Sequence, residues 1–486
     1  MAIMSCAAQV SPSWCLTPSG RSEWLIDFQE SASYDFPLRS SVSWNIPVQV
    51  FITLGPDGQK AVEVNNMLNA FCKLNTDFDK TGIQFYIKRI TYLDRPDYYD
   101  HTNAGAAVSM ISAYRQEGAV NVFFVNTAVE QGICGYNVVD QDRHSIGMTL
   151  AGSCTNSYNS NWAHEMGHYF SLPHTFNGWE GYIHDYREPA PLFVNNVPVE
   201  LADGSNCDEA GDGFCDTPAD YLNGRWFCAE DGASSFPQID PNGANFRSDG
   251  TMIMSYAQDG CSNRFSDRQI SAMQNYLLSQ RKDHLVNPPE FSAIRSRDIT
   301  ATYPAMGDQI SPADRIRFEW NRIDGALGYV LEVSMLPTFA VLETQEFVFT
   351  ANHSVAGLRT NRTYYWRVRA FNGRYTCPVY SEVMSFKLSG TTTASRQPVE
   401  LADLSIGPNP LTTGQTLNIQ LVTTSANTWD LSLFSTSGQE LARERRELPA
   451  GDHNWNLAAT SAFAPGLYLL RLQNPSGILT RKVVVR

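Results

Sequence analysis

Val48, Val50 and Ile52 are apolar at every second position, the period of a strand with one face turned inward. Val64, Met67, Leu68 and Phe71 then recur at helical spacing, and Ile83, Phe85 and Ile87 return to alternation. Ala107 to Tyr114 reads as a second helix stopped at Gly118, and Val120 to Val125 as a buried strand. Strands alternating with helices predict an α/β unit with a mostly parallel sheet. Gly132 to Tyr136 and Ile146 to Leu150 supply further strands, one of them at the sheet edge, where an extended peptide can pair by main-chain hydrogen bonds. Near residue 161 the chain turns from polar and turn-rich to helical, and the helix runs to about Phe170. Ser266-Asp267-Arg268-Gln269 is a capping box that opens a last helix with Ile270, Met273 and Leu277 inward, before Pro288-Pro289.

Beyond that point the pattern changes. Phe318 and Trp320, then Tyr329, Leu331 and Val333, then Tyr365, Arg367 and Arg369 fall in short alternating runs separated by turn signals, which predicts a β-sandwich over 288–389. Its expected role is spacing or weak binding. Residues 390–400, with Thr391-Thr392-Thr393, read as a flexible linker, and 401–486 as another short-stranded β unit. Residues 1–40 show no periodicity and read as the remnant of a pro-segment, in a chain that starts after a removed signal peptide or from a misplaced start.

Charge narrows the function classes. The chain has 486 residues and a net charge of −14, from 36 basic and 50 acidic side chains, with no basic stripe of the kind nucleic-acid binding needs. No apolar run is long enough for a membrane-spanning helix. The expected partners are proteins, peptides and divalent cations. Cysteines stand at 6, 15, 72, 134, 154, 207, 215, 228, 261 and 377, an even number that fits disulfides in an oxidising compartment, with pairings that the sequence does not reveal. Cys6 or Cys15 could cap a zinc as a thiolate, but nothing around either favours this, and a disulfide is the expectation for both.

Chemistry concentrates in His164-Glu165-Met166-Gly167-His168, followed by Pro173 and His174. Residues four apart share a helix face, so His164 and His168 point the same way. Pro173 stops the helix, and the turn brings His174 back as a third nitrogen. Three nitrogens with one open position suit a catalytic zinc, whereas a structural site fills the fourth position with protein. Glu165 is then the candidate general base for the attacking water. Further on, acidic residues crowd together, and Asp203, Asp208, Asp212 and Asp216 are candidate calcium ligands; a solvated acidic loop explains them equally well. There is no G-x-S-x-G elbow to support a serine hydrolase.

The zinc stretch resembles the metzincin signature H-E-x-x-H-x-x-G-x-x-H, with Ser171 where the pattern has Gly. Together with Gly211-Asp212-Gly213-Phe214-Cys215-Asp216-Thr217-Pro218, Met252-Ile253-Met254-Ser255-Tyr256 and Asp259-Gly260-Cys261-Ser262-Asn263, it makes residues 41–287 similar to a pappalysin-type, ulilysin-like metzincin protease. Met252 departs from the Asn that relatives often carry. The resemblance implies a two-lobed zinc-protease domain of α+β or α/β character, with a twisted, mostly parallel sheet and an active-site helix. It also implies bound calcium, Met254 as the apolar floor of the Met-turn, Tyr256 as a phenol supporting the transition state, and Asp259 at the base of the pocket after the scissile bond, hence cleavage before Arg or Lys. Residues 288–389 resemble a fibronectin type III module. Gly407-Pro408-Asn409-Pro410, Pro465-Gly466-Leu467-Tyr468-Leu469 and Lys482-Val483-Val484-Val485 resemble the C-terminal sorting domain of type IX secretion cargo. The expectation is a multidomain, secreted or cell-surface zinc endopeptidase followed by two β-sandwich domains and engaging the secretion machinery. The competing reading is a secreted adhesion protein with an inactive protease-like domain.

Overall fold

The alternation at Val48, Val50 and Ile52 becomes strand β1 (Trp44–Thr53), which is buried from Ile46 onward on both faces. Its one long polar side chain in that stretch, Gln49, finds the Thr91 hydroxyl at 3.1 Å. A computed structural model of the chain describes residues 15–18, 20–31, 43–129, 132–389, 400–412, 414–436, 439–458 and 464–486; Cys6 and Thr391-Thr392-Thr393 lie outside these. After β1 come α2 (Val64–Asp77), β2 (Ile83–Leu93), α3 (Ala104–Tyr114), β3 (Val120–Val125), β4 (Gly135–Val139), β5 (Ser145–Ala151), α4 (Asn161–Tyr169) and α5 (Asp267–Gln280), with a short helix α1 (Glu23–Gln29) ahead of them all. The sheet order is β2-β1-β3-β5-β4, parallel except for β4, which pairs antiparallel to β5 and forms one edge.

Two element boundaries differ from the sequence pattern, and each has a local cause. Helix α3 ends at Tyr114, as the pattern predicts, but starts three residues earlier, at Ala104, because the Asn103 side chain caps it by accepting from the Ala106 N–H; past its end Asn121 holds the departing chain, its Oδ1 accepting the Gln116 N–H at 2.8 Å and its Nδ2 donating to the Gln116 carbonyl at 2.9 Å. Within residues 1–40, where no periodicity was visible, Ser22 caps α1 by accepting from the Leu25 N–H, and Leu25 and Phe28 are buried in the main core. That core runs from α2 through the sheet to α4 and α5.

Strand β2 is the other sheet edge, and outward backbone groups in its first half are occupied. Asn75 of α2 accepts the Phe85 N–H at 2.7 Å and donates to the Phe85 carbonyl at 3.2 Å, replacing the missing neighbour strand. Two residues on, the Ile87 N–H donates to the Gly373 carbonyl at 2.8 Å. Closing both positions shortens the open ladder that would otherwise invite pairing with another chain.

Residues 301–388 form two packed sheets. One contains β6 (Ala301–Tyr303), β7 (Arg315–Trp320) and β10 (Asn352–Ala356); the other contains β8 (Gly328–Ser334), β9 (Thr344–Val348), β11 (Arg362–Phe371) and β12 (Met384–Leu388). Phe318, Trp366 and Phe386 fill the space between them. By compactness the chain divides into two units, Met1–Asp308 with Arg315–Leu358 and Thr363–Phe386, and Gln309–Asp314 with Arg359–Arg362 and Lys387–Arg486. In the second unit a three-stranded sheet (Leu401–Gly407, Thr416–Thr423, Gly451–Ala458) and a four-stranded sheet (Asn427–Ser435, Glu440–Leu448, Gly466–Asn474, Gly477–Val485) enclose Trp429 and Trp455. No helix among the described residues is long and apolar enough to cross a membrane.

Disulfides join Cys72–Cys377, Cys134–Cys154, Cys207–Cys215 and Cys228–Cys261. Cys15 is not in a disulfide, which corrects the sequence expectation for it.

The substitution Asn75→Leu strips both partners from buried backbone groups of Phe85. It is expected to lower unfolding free energy by about 2–3 kcal/mol, read from the midpoint of a urea denaturation curve; an unchanged midpoint contradicts the edge-closing role.

Candidate metal centre

Helix α4 is buried along its whole length, and its lower face carries His164 and His168. Its end is set by Ser171, which adopts φ +71°, the left-handed conformation that Gly normally supplies. The Leu172 N–H reaches back to the Gly167 carbonyl at 3.0 Å, and the turned chain delivers His174. The His168 Nε2 lies 3.2 Å from that of His164 and 3.1 Å from that of His174. Two nitrogens bound to one tetrahedral zinc at about 2.0–2.1 Å stand roughly 3.3 Å apart, so the spacing fits.

The far sides of the rings fix their tautomers. His164 Nδ1 is 2.8 Å from the Ile253 carbonyl, His168 Nδ1 is 2.7 Å from the Leu172 carbonyl, and His174 Nδ1 is 3.0 Å from a Glu180 carboxylate oxygen. A carbonyl only accepts, so the proton sits on Nδ1 in His164 and His168, leaving their Nε2 lone pairs aimed at a common point. Burial drives the pKa of both well down, keeping them neutral. This donor set fits zinc.

Glu165 is fully buried. Its Oε2 accepts from the Thr17 hydroxyl at 3.1 Å and from Asn137 Nδ2 at 2.9 Å, while Oε1 has no partner among the described residues. Burial raises its pKa to about 7, against the hydrogen bonds that lower it. Asn137 also donates to the Glu165 carbonyl at 2.9 Å and is oriented by the Ser145 hydroxyl at 2.6 Å. Met254 lies beneath α4, so close that a Cβ on Gly167 would stand 2.3 Å from its sulfur. Tyr256 is buried with its ring centroid 5.8 Å from His164 and 5.0 Å from His174. Behind this turn, Asp220 collects the hydroxyls of Thr175, Ser248 and Ser255 at 2.7–2.8 Å.

The N-terminal segment runs through the same cleft. The sulfur of Cys15 and the ligand nitrogens of the three histidines all lie within 4.8 Å of one another, the single group of metal-binding type among the described residues. The Tyr256 hydroxyl donates to the Cys15 carbonyl at 3.0 Å and accepts from its N–H at 3.2 Å. Leu16 N–H donates to the Gly135 carbonyl, so the segment pairs with the edge strand β4, in parallel sense. Further along, Ser22 and Ser171 share a hydroxyl–hydroxyl bond of 2.6 Å, Arg21 donates to the Asp208 and Glu209 carbonyls, and Gln29 donates to that of Asp212. Burial, then the Glu165 carboxylate, push the Cys15 thiol pKa up.

The remaining candidates are scattered. Asp259 is half-exposed and paired with Arg225, Nη2 to Oδ1 at 2.8 Å; Arg225 also donates to the Ala257 carbonyl, and Cys261 beside it bonds to Cys228. The four acidic candidates do not converge. Asp203 accepts from the Ser205 N–H, Asp208 is exposed, and Asp216 caps α5 by accepting from the Ser266 hydroxyl and the Arg268 N–H, both at 2.8 Å. Asp212 is fully buried with Oδ2 unpartnered among the described residues, near buried Glu200. Burial and then the repulsion of Asp212 raise the Glu200 pKa to about 9, and burial raises that of Asp212 to about 7. Glu180, Asn137, Arg225 and Glu200 escaped the sequence reading. Only Glu180, six residues after His174, carried a positional hint.

Residues 405–486 match the family model described as a secretion system C-terminal sorting domain, which marks the chain for export by the type IX route. An extracellular metalloprotease of Arthroderma gypseum is 23% identical over 251 residues, covering 48% of this chain and 73% of that protein. An extracellular metalloprotease of Arthroderma benhamiae is 23% identical over 245 residues, covering 47% and 71%. The solved chicken CNTN1 FN1-FN3 domains cover 40% of this chain and 65% of that one at 14% identity, with a TM-score of 0.18, too low to assign a fold.

Proposed function

We propose that this exported protein is a zinc-dependent endopeptidase of the pappalysin type, held latent by its N-terminal segment. The observation that carries this is the convergence of three Nε2 lone pairs beside a buried carboxylate with one unpartnered oxygen. His164, His168 and His174 would hold zinc there, and the metal would supply acidification of a bound water and polarisation of the scissile carbonyl. Glu165 takes the proton of the attacking water and passes it to the leaving amine, with Asn137 holding the carboxylate in place. The Tyr256 hydroxyl, which now bonds to the Cys15 main chain, turns to the developing oxyanion once that main chain is replaced by substrate. The edge of β4 receives the substrate backbone. An adhesion protein with a dead site would need neither the buried base nor Asn137, which favours the enzyme.

Residues around Cys15 occupy three parts of this machinery at once: the sulfur at the histidines, Thr17 at the base and the peptide unit at Tyr256. Cys15→Ala is expected to give peptidase activity without removal of the segment. Adding Glu165→Ala should lower kcat by about 10²–10⁴-fold with zinc retained by elemental analysis. A double variant that cleaves as fast as Cys15→Ala refutes the base assignment.

For specificity, Asp259 selects Arg or Lys after the scissile bond in competition with its own Arg225. Arg225→Ala should sharpen that preference in cleavage-site profiling of a peptide library. An unchanged profile leaves Asp259 as no more than the partner of Arg225.

For calcium, the supporting group is Glu200 with Asp212, two buried carboxylates with an orphan oxygen, in place of the four spread along the loop. Calcium should raise the melting temperature of the full chain, and Asp212→Asn should abolish the shift; an equal shift in the variant rules the site out.

A further inference from the structure

Helix α2 has two working faces. Asn65, Asn69 and Cys72 follow the i, i+4, i+7 spacing of one stripe, and all three are tied to the β-sandwich. Arg369 of β11, fully buried, donates from Nη1 to Asn65 Oδ1 at 2.5 Å and to Asn69 Oδ1 at 2.7 Å, and from Nη2 to the Thr376 carbonyl. Asn65 Nδ2 donates to Glu332 of β8 at 3.3 Å, and Glu332 is in turn held by Arg367, Gln345 and Tyr380. Cys72 is covalently bound to Cys377.

The other face of α2 meets the helix that carries the histidines. Phe71 packs edge-on against Trp162 of α4 with centroids 5.2 Å apart, and Lys73 Nζ donates to the hydroxyl of Ser160, the N-cap residue of α4, at 2.9 Å. The apolar contact is continuous: Val330 and Phe371 of the sandwich belong to the same buried cluster as Met67, Phe71, Trp162 and Met166. The loop after β11 completes the seal, since the Gly373 carbonyl takes the Ile87 N–H of the sheet edge and a Cβ at Gly373 would stand 2.6 Å from the Ile87 carbonyl oxygen.

We infer that the β-sandwich is a positioning part of the catalytic unit: through Arg369 and the Cys72–Cys377 bridge it fixes α2, and α2 fixes the register of α4 and so the geometry of the histidines. A spacer would contact the neighbouring domain through exposed, replaceable side chains. Here a fully buried guanidinium depends on two asparagine oxygens of the other domain, an arrangement that leaves the buried donors of a charged group unsatisfied if the asparagines are removed. Arg369, Asn65 and Asn69 are therefore positioning residues, and the bridge, whose Cys377 end is exposed, is the accessible lock on them.

The test uses the full chain with Cys15→Ala, so that the kinetic arm rests on the peptidase reading while a zinc-affinity arm does not. Asn69→Ala, Cys377→Ser and Arg369→Lys are compared with this parent well below their melting temperatures. Expected are a fall in kcat of about tenfold with KM within about twofold, since small misplacement of reacting groups is costly, and weaker zinc binding in chelator competition. Asn69→Ala leaves the core intact and keeps the test open if Arg369→Lys does not fold. Parent-like kcat and zinc affinity with only a lowered melting temperature overturn the proposal. A parent that binds zinc but cleaves no peptide overturns the peptidase reading, and the zinc arm then decides this one alone.

Discussion

Everything at the centre depends on three hydrogen bonds made on the side of the histidine rings that faces away from the metal position. Three imidazoles with lone pairs aimed at one point, about 3 Å apart, would rotate away from one another without an outer restraint. The restraints come from three separate places: the carbonyl of Ile253 in the Met-containing turn, the carbonyl of Leu172 after the helix, and the carboxylate of Glu180. The fold around α4 can be understood as the means of bringing these three acceptors together. Gly167 lets the Met254 turn come close enough for Ile253 to reach, and Asp220 holds that turn from behind through three hydroxyls.

The same logic explains why the polar contacts of this chain differ so much in importance. Pairs such as Arg187–Asp185 and Arg95–Asp97 lie at the surface, where water and salt screen them and leave little net contribution. Arg369 is of another kind, because burial makes its partners obligatory. A domain boundary crossed by such a group is a boundary in sequence more than in mechanics.

How much was legible in the sequence follows from how local each signal is. Strand β1, helix α2, strand β3 and helix α4 announce themselves within a dozen residues, and the three clustered histidines by spacing within eleven. Cys15 reaches the histidines across about 150 positions of chain, and no local pattern marks it. Asp216 sits in an acidic run that looks like a cation loop, yet its carboxylate serves the N-terminus of α5, fifty residues later. Arg369 occupies an alternating strand whose charged positions should face water, and burial against another domain overrides that pattern. Asp259 reads in the sequence as a carboxylate for a cation from outside, and the 2.8 Å pairing with Arg225 of the same chain is invisible there because 34 residues separate the two.

Ser171 stands where the signature that this stretch resembles has glycine, and its surroundings give that difference a meaning. A left-handed backbone costs a serine about 1–2 kcal/mol that glycine would not incur, and the hydroxyl that comes with it bonds to Ser22 of the N-terminal segment, a gain of about 1 kcal/mol. The two nearly cancel while the segment is in place. Without the Ser22 bond the strain would stay and the compensation would be gone, directly between His168 and His174. In mechanical terms the turn is preloaded: a strained backbone between His168 and His174 is balanced by a single hydroxyl bond to a distant part of the chain, so the geometry of two of the clustered imidazoles is tied to the presence of Ser22.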